Sequence, residues 1–333
     1  MNSVFNALLI TERDGKFVKE IKQLKTDQLP DNELLIKVCY SSVNYKDALS
    51  ASGNRGVTRR FPHVPGIDAA GIVVKSKTQS FTLGDEVFIT GYDLGMNTWG
   101  GFSQYISIPA KWATHLPKGL SLKDVMCYGT AGLTAGLSIY RLLDSGISPG
   151  KGSVAVSGAT GGVGSIAIAI LHKLGFKVTA ITGKNDEQYL LNILGATQIV
   201  SREQFIQTYD TKALCTPAFE AGIDTCGGPI LSGMLKAMSY GGTVTCCGML
   251  TSLDINTSIF PFILRGVSLA GIDSVHTPSD IRKQVWQLLS TGWKPDNLNE
   301  LASEITLPEL PSVLDKLLNG QAKGRYVLVH DNF

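Results

Sequence analysis

The stretch Val154-Ala-Val-Ser-Gly158-Ala-Thr-Gly161-Gly162-Val-Gly164-Ser sets four glycines within seven residues, after an apolar strand pattern and before an apolar helical one. Glycine accepts positive φ and lets backbone N–H groups approach an anion closely. The helix that follows aims its unpaired N-terminal donors and its positive dipole end at the same point. Such a turn fits a pyrophosphate. The spacing is GxxGxxG rather than GxGxxG, and the alternative is a tight turn with no ligand. Its position between a strand and a helix favours the anion.

The second strand of a dinucleotide-binding sheet normally ends in an acid that accepts from a ribose 2′-OH. Here it ends Ala180-Ile181-Thr182-Gly183-Lys184, with Lys184 twenty residues after Gly164. A hydroxyl, a backbone N–H and an ammonium would hold a 2′-phosphate that an acid would repel, which favours NADPH over NADH. Asp186 and Glu187 count against this, but they more naturally start the next helix. Arg202, just past the next short strand, is either a second cation for the phosphate or an exposed surface arginine.

Other chemistry is harder to find. The cysteines (39, 127, 215, 226, 246, 247) contain no CxxC pair and the five histidines are scattered, so no metal site is expected and buried thiols are the simpler reading. Cys246 and Cys247 are neighbours on a strand and point to opposite faces, which argues for packing rather than a thiol active site. A net charge of +2, with no basic stripe carrying interleaved aromatics, argues against nucleic acid or a membrane surface as partner. The opening residues show no basic n-region, and the longest apolar run, Ile166 to Leu171, is far short of a membrane span, so a cytoplasmic location is expected.

The elements that must position these residues divide the chain. With 333 residues, two domains are the default. The first part is β-rich, with short runs at Ala7 to Thr11, Leu34 to Tyr40, Gly71 to Val74 and Glu86 to Thr90 broken by Gly, Pro and Asp. Val125 to Leu143 reads as a helix despite Gly129, Gly132 and Gly136. From there to about 272, strands near 153, 177, 198, 223, 243 and 267 alternate with helices, including Val163 to Leu174, Glu187 to Leu194 and Pro229 to Ser239. That alternation predicts a parallel sheet covered on both faces. Helices near Asp280 to Ser290 and Leu307 to Asn319 and a strand at Tyr326 to His330 remain.

With these residues in view, the chain resembles the medium-chain dehydrogenase/reductase superfamily, in particular its zinc-free quinone oxidoreductase branch and the acrylyl-CoA reductase (NADPH) subfamily. The resemblance runs end to end. It rests on Ser42-Val-Asn-Tyr-Lys-Asp47, Pro65-Gly-Ile-Asp-Ala-Ala-Gly71, Tyr128-Gly-Thr-Ala-Gly132, the glycine loop, Pro261-Phe-Ile-Leu-Arg-Gly-Val267, Gly271-Ile-Asp-Ser-Val275 and Gly324-Arg-Tyr-Val-Leu-Val329.

The resemblance implies an α/β fold: a doubly wound Rossmann sheet (125–274) inserted in a GroES-like β-barrel catalytic domain (1–124 completed by 275–333). Substrate would lie in the cleft between the domains, and a homodimer is implied. Zinc-dependent relatives carry a Cys near Asn44 and Gly-His-Glu where this chain has Gly66-Ile67-Asp68, so both metal ligands are missing. Carried over by position, the cofactor contacts are Tyr45, Thr160, Gly161, Gly162, Val163, Thr182, Gly183, Lys184 and Arg202. Ile263, Ser274 and Arg325 would reach the nicotinamide half or neighbouring phosphates. The subfamily often has Ser-Gly-Arg where this chain has Thr182-Gly183-Lys184, which keeps the charge and loses the bidentate fork.

The reaction implied is conjugate reduction of an α,β-unsaturated thioester such as acryloyl-CoA, with Asn44, Tyr45 and Asp68 near the event and Tyr45 as orienter or proton relay. Alternatively Tyr45 packs against nicotinamide, Asp68 braces a loop and solvent supplies the proton. The loop from Asn54 to Arg60 holds Arg55, Arg59 and Arg60, which either bind coenzyme A phosphates or form a solvated basic loop. Two rivals stay open: a reductase of quinones or simple enals, and a non-enzymatic NADPH-binding protein.

Overall fold

The computed structural model describes residues 3–330. In chain order its elements begin with β1 (Val4–Arg13), β2 (Lys16–Lys25), β3 (Leu34–Val43), α1 (Tyr45–Ala51), β4 (Asp68–Ser76), β5 (Glu86–Thr90), β6 (Tyr105–Ile108), β7 (Thr114–His115) and α2 (Leu122–Asp144). They continue with β8 (Ser153–Ser157), α3 (Gly162–Lys173), β9 (Lys177–Thr182), β10 (Gln198–Ser201), α4 (Arg202–Tyr209), β11 (Phe219–Asp224), α5 (Gly228–Lys236), β12 (Met238–Cys246), α6 (Phe260–Arg265), β13 (Ser268–Gly271) and α7 (Ser279–Leu289). Then follow β14 (Ala302–Ile305), α8 (Leu310–Leu318) and β15 (Arg325–Val329). No helix among the described residues is long and apolar enough to cross a membrane.

The chain forms two compact units, one running to Thr130 and resuming at Ala302, the other Ala131–Leu301. In the first, β14-β15-β3-β4-β5-β7 form a sheet, with β6 also paired to β3, and β1 and β2 form a hairpin. Strand alternation buries Leu34, Ile36 and Val38 of β3 with Val87 and Ile89 of β5 and Ile106 and Ile108 of β6. In the second, six parallel strands run β10-β9-β8-β11-β12-β13, which in chain order is 3-2-1-4-5-6. That is the doubly wound order whose first strand sits at the topological switch point, where ligands bind beyond the strand ends. Helix α3 buries every residue from Gly164 to Leu171, as a helix laid on a sheet face must.

Three expectations need correction. The second unit extends to Leu301, so residues 275–301 do not complete the first unit. Their ties are local to the second: a Cβ on Gly136 of α2 would meet Val285 of α7 at 2.7 Å, Tyr140 bonds Gln284, and Lys173 pairs with Asp296. The expected continuous helix from Val125 is broken at Gly129, where φ 52° and ψ −157° are open only to glycine. The expected α-helix at Glu187 to Leu194 is a π-helical segment, Gln188–Ile193, in which Tyr189 and Leu190 are buried.

Candidate functional site

In the second unit, Gly158 adopts φ +57° at the end of β8, and a Cβ there would lie 2.2 Å from Thr225 Oγ1. A Cβ on Gly164 would lie 2.4 Å from the Gly158 carbonyl oxygen. The turn is thus closed on itself, and only glycine fits at either place. Helix α3 has Gly161 as its N-cap and no side-chain cap, so the first-turn N–H groups of Gly162, Val163 and Gly164 meet no side-chain acceptor among the described residues. Thr160 is buried beside them. This cradle, with uncapped donors at the switch point of the sheet, fits a dinucleotide pyrophosphate.

The turn is braced from β11. Ser157 Oγ donates to Asp224 Oδ1 at 2.7 Å, Gly227 N donates to Asp224 Oδ2 at 2.7 Å, and Thr225 Oγ1 donates to the Ser157 carbonyl at 3.0 Å. Burial pushes the Asp224 carboxyl above its ordinary range while these donors pull it down. The sequence reading missed this brace, because it joins residues 67 apart.

At the end of β9 the Thr182 hydroxyl accepts the Lys184 N–H at 3.0 Å. Partial burial pushes the Lys184 ammonium below its ordinary pKa, with Asp186 acting in the opposite direction. Asp186 in turn accepts from Tyr189 N at the start of the next helical segment. Arg202 opens α4 and lies against Gly183. Thr160–Val163, Thr182–Lys184 and Arg202 are therefore gathered at the ends of adjacent strands. Ile263, exposed on α6, and Ser274, past β13, belong to the opposite half of that sheet.

The first unit holds a different cluster. The Asp68 carboxylate, fully buried, accepts from Ser42 Oγ at 2.5 Å, Asn44 Nδ2 at 2.8 Å, Thr130 N at 2.7 Å and Thr130 Oγ1 at 2.5 Å. Asn44 Nδ2 also donates to the Ser42 carbonyl, and Asn44 Oδ1 accepts from Arg325 Nη2 at 3.2 Å. The break at Gly129 turns the Thr130 N–H toward Asp68; a Cβ at 129 would lie 2.1 Å from Ser42 Oγ. Behind Asn44, Asp47 accepts from the backbone N–H groups of Asn44, Gly66 and Ile67. Burial and the Asp68 charge push its carboxyl up to about 7 against the pull of those donors.

This arrangement corrects several sequence expectations. Asn44 and Asp68 spend most of their hydrogen-bonding capacity on protein partners, which favours the bracing alternative for Asp68 over a place beside the reacting atoms. Arg325, only 3% exposed, donates to the carbonyls of Cys127 and Val43 as well as to Asn44, so it is a buried tie and not a phosphate contact. Tyr45, the first residue of α1, is 40% exposed, and its hydroxyl has no partner among the described residues. Ser42, Asp47 and Thr130 were missed as site-building residues. The Asn44-x-x-Asp47 capping spacing was the available signal.

The arginine loop also separates. Arg55 donates to Glu12 Oε2 at 2.6 Å and to the Arg59 carbonyl at 2.9 Å, with Phe17 and Phe61 rings 5.6 and 5.2 Å from its guanidinium. It is a local anchor and not a phosphate ligand. Arg59 and Arg60 are exposed, with no side-chain partner among the described residues. Burial pushes the Cys247 thiol up to about 12 and raises Cys226 and Cys246, so these cysteines stay protonated at neutral pH. Among the described residues no group of three or more His, Cys, Asp or Glu is placed to hold a metal ion.

Residues 30–118 match the alcohol dehydrogenase GroES-like domain and residues 162–291 the zinc-binding dehydrogenase family. The chain is 43% identical to YhfP of Bacillus subtilis, named as a quinone oxidoreductase, over 98% of this chain and 99% of the relative. It is 41% identical to the acrylyl-CoA reductase AcuI of Ruegeria pomeroyi, again over 98% and 99%. The crystal structure of YhfP with NAD bound matches with a TM-score of 0.94 at 42% identity, covering 98% of this chain and 100% of that one. The YhdH oxidoreductase of Salmonella enterica in complex with NADP matches with a TM-score of 0.93 at 40% identity, covering 98% and 100%.

Proposed function

Because the chain belongs to the medium-chain dehydrogenase/reductase superfamily, we propose that it is an NADPH-dependent reductase of an α,β-unsaturated thioester such as acryloyl-CoA. The observation that carries this reading is the pair of cations, Lys184 and Arg202, at the adjacent ends of β9 and β10, with no acid at the end of β9. The similarity to AcuI over nearly the whole of both chains supports the substrate class.

Bound NADPH supplies a hydride for the β-carbon of the alkene. The chain's residues do the rest. The first-turn N–H groups of α3 hold the pyrophosphate, and Lys184 and Arg202 hold the 2′-phosphate. Tyr45, with its accessible hydroxyl, orients the thioester or relays the proton that reaches the α-carbon. The Asp68 cluster fixes the backbone from which Tyr45 projects. Arg59 and Arg60 attract the phosphates of coenzyme A. We also propose that the reaction needs no zinc, since Asn44 and Ile67 stand where zinc-dependent relatives carry the Cys and the His, and among the described residues no group of three or more His, Cys, Asp or Glu is placed to hold a metal ion.

A second reading, a quinone reductase, is favoured by the identity to YhfP. The test is NADPH oxidation with acryloyl-CoA beside benzoquinone. A kcat/KM higher for acryloyl-CoA by at least about a hundredfold, some 2.7 kcal/mol of transition-state discrimination, supports the thioester reading. Preference for the quinone selects the second reading, and NADPH binding without turnover of either selects a non-catalytic binder. A homodimer is proposed as well: β13 lies at a sheet edge, and Ile259 and Ile263, just before it in the chain, are exposed apolar side chains that a second copy would cover. Light scattering that returns a monomer mass refutes it.

A further inference from the structure

A lone ammonium is a compact point charge, whereas a phosphate monoester is held with directional specificity by a planar fork that reaches two oxygens at once. Lys184 supplies only the first. The second lies on the neighbouring strand. In the parallel register Ser201 of β10 stands beside Thr182 of β9, so the next residues, Arg202 and Gly183, meet beyond the strand ends. A Cβ on Gly183 would fall 2.0 Å from Arg202 Nη2, 2.9 Å from Cζ and 3.0 Å from Nε, so the guanidinium occupies the place of the missing side chain.

Space, not backbone conformation, is what demands glycine here. Gly183 is absent from the glycines with positive φ, so alanine could adopt its backbone without strain. Arg202 is exposed and no hydrogen bond or ion pair to another described residue holds its guanidinium, so the room left by Gly183 is what lets it lie at the end of β9. Ser201 Oγ caps α4 by accepting from Gln204 N at 3.1 Å, which fixes the backbone from which Arg202 projects.

We propose that Gly183 is a specificity-determining position: by lacking a Cβ it seats the Arg202 guanidinium at the end of β9, where it supplies beside Lys184 the planar fork for a 2′-phosphate. This rests on the NADPH reading above. The fork missing from position 184 comes from the adjacent strand, and Gly183 acts through Arg202 as a positioning residue. Because the atoms in conflict are the far end of a flexible side chain, Gly183→Ala displaces the guanidinium and leaves the fold intact.

The experiment is calorimetric titration of the cofactor-free protein with 2′,5′-ADP and, separately, 5′-AMP, for the wild type, Gly183→Ala, Arg202→Ala, Lys184→Ala and the double variant Gly183→Ala/Arg202→Ala. Gly183→Ala and Arg202→Ala should each weaken 2′,5′-ADP by about tenfold and leave 5′-AMP within about twofold. The double variant should be no weaker than Arg202→Ala alone, and Gly183→Ala should melt with the wild type. If Arg202→Ala weakens 2′,5′-ADP and Gly183→Ala does not, or the two losses add, the seat is overturned while the NADPH reading stands. If neither Lys184→Ala nor Arg202→Ala separates 2′,5′-ADP from 5′-AMP, the NADPH reading falls and takes this proposal with it.

Discussion

At the head of α3 three backbone N–H groups meet no side-chain cap among the described residues, whereas around Asp68 four donors converge on one carboxylate, three of them on Oδ2. Both places are rich in glycine and hydroxyl residues, and both look polar in the sequence. Their chemistry is opposite. Uncapped donors beside closely packed glycines suit an anion; donors spent on a buried carboxylate form a rigid joint. A buried polar network that is fully satisfied holds geometry, so residues in it act on a reaction through the groups they position.

The contrast can be broken at the joint first. Gly129→Ala forces a Cβ into Ser42 and Asp68 at a backbone conformation that alanine avoids, and should cost at least about 4 kcal/mol in chemical denaturation. Asp68→Ala strands the donors of Ser42, Asn44 and Thr130 and should cost about 3 kcal/mol, while 2′,5′-ADP binding by the folded fraction stays unchanged. A loss of nucleotide affinity in that variant would blur the distinction between joint and site. Tyr45→Phe removes a hydroxyl with no partner among the described residues, so stability should hold within about 0.5 kcal/mol while kcat falls at least about tenfold. An unchanged kcat would leave the proton to solvent.

Asp47 sharpens the comparison through pH. Its carboxyl lies above its ordinary value of 3.8, at about 7, so the folded protein keeps a proton that the unfolded chain releases. Stability from this group is full below the lower value, falls as pH rises between the two, and is level above the higher one. Asp47→Asn should flatten that fall in denaturation curves taken across the window; an identical fall would assign it elsewhere. The smallest effect is expected in the arginine loop. Arg59→Ala/Arg60→Ala should raise KM for acryloyl-CoA by about threefold and leave stability and the quinone KM alone, whereas Arg55→Ala should cost about 1 kcal/mol of stability.

The glycine loop and the strand–helix alternation of the second unit were legible because strand, turn and helix are contiguous in the chain. The joint was not, since it ties residues 42, 44, 68, 130 and 325. Each member alone leaves its role open: Asp68 near the reacting atoms or bracing a loop, Arg325 at the nicotinamide half or a neighbouring phosphate. Arg55 looked like its neighbours Arg59 and Arg60 until folding set Glu12 beside it, 43 residues away. Residues 275–301 cluster with the second unit through ties such as Val285 beside Gly136 and Lys173 to Asp296, which no local pattern announces.

The most direct test of the proposed reduction is the fate of the hydride. The protein is given NADPH carrying deuterium in both C4 positions, with acryloyl-CoA, in ordinary water, and the saturated thioester is read by mass spectrometry and NMR. The account predicts a single deuterium, on the β-carbon, and in heavy water with unlabelled NADPH a single deuterium on the α-carbon. Deuterium on the carbonyl carbon of an aldehyde or alcohol product, or none in the saturated thioester, would contradict it.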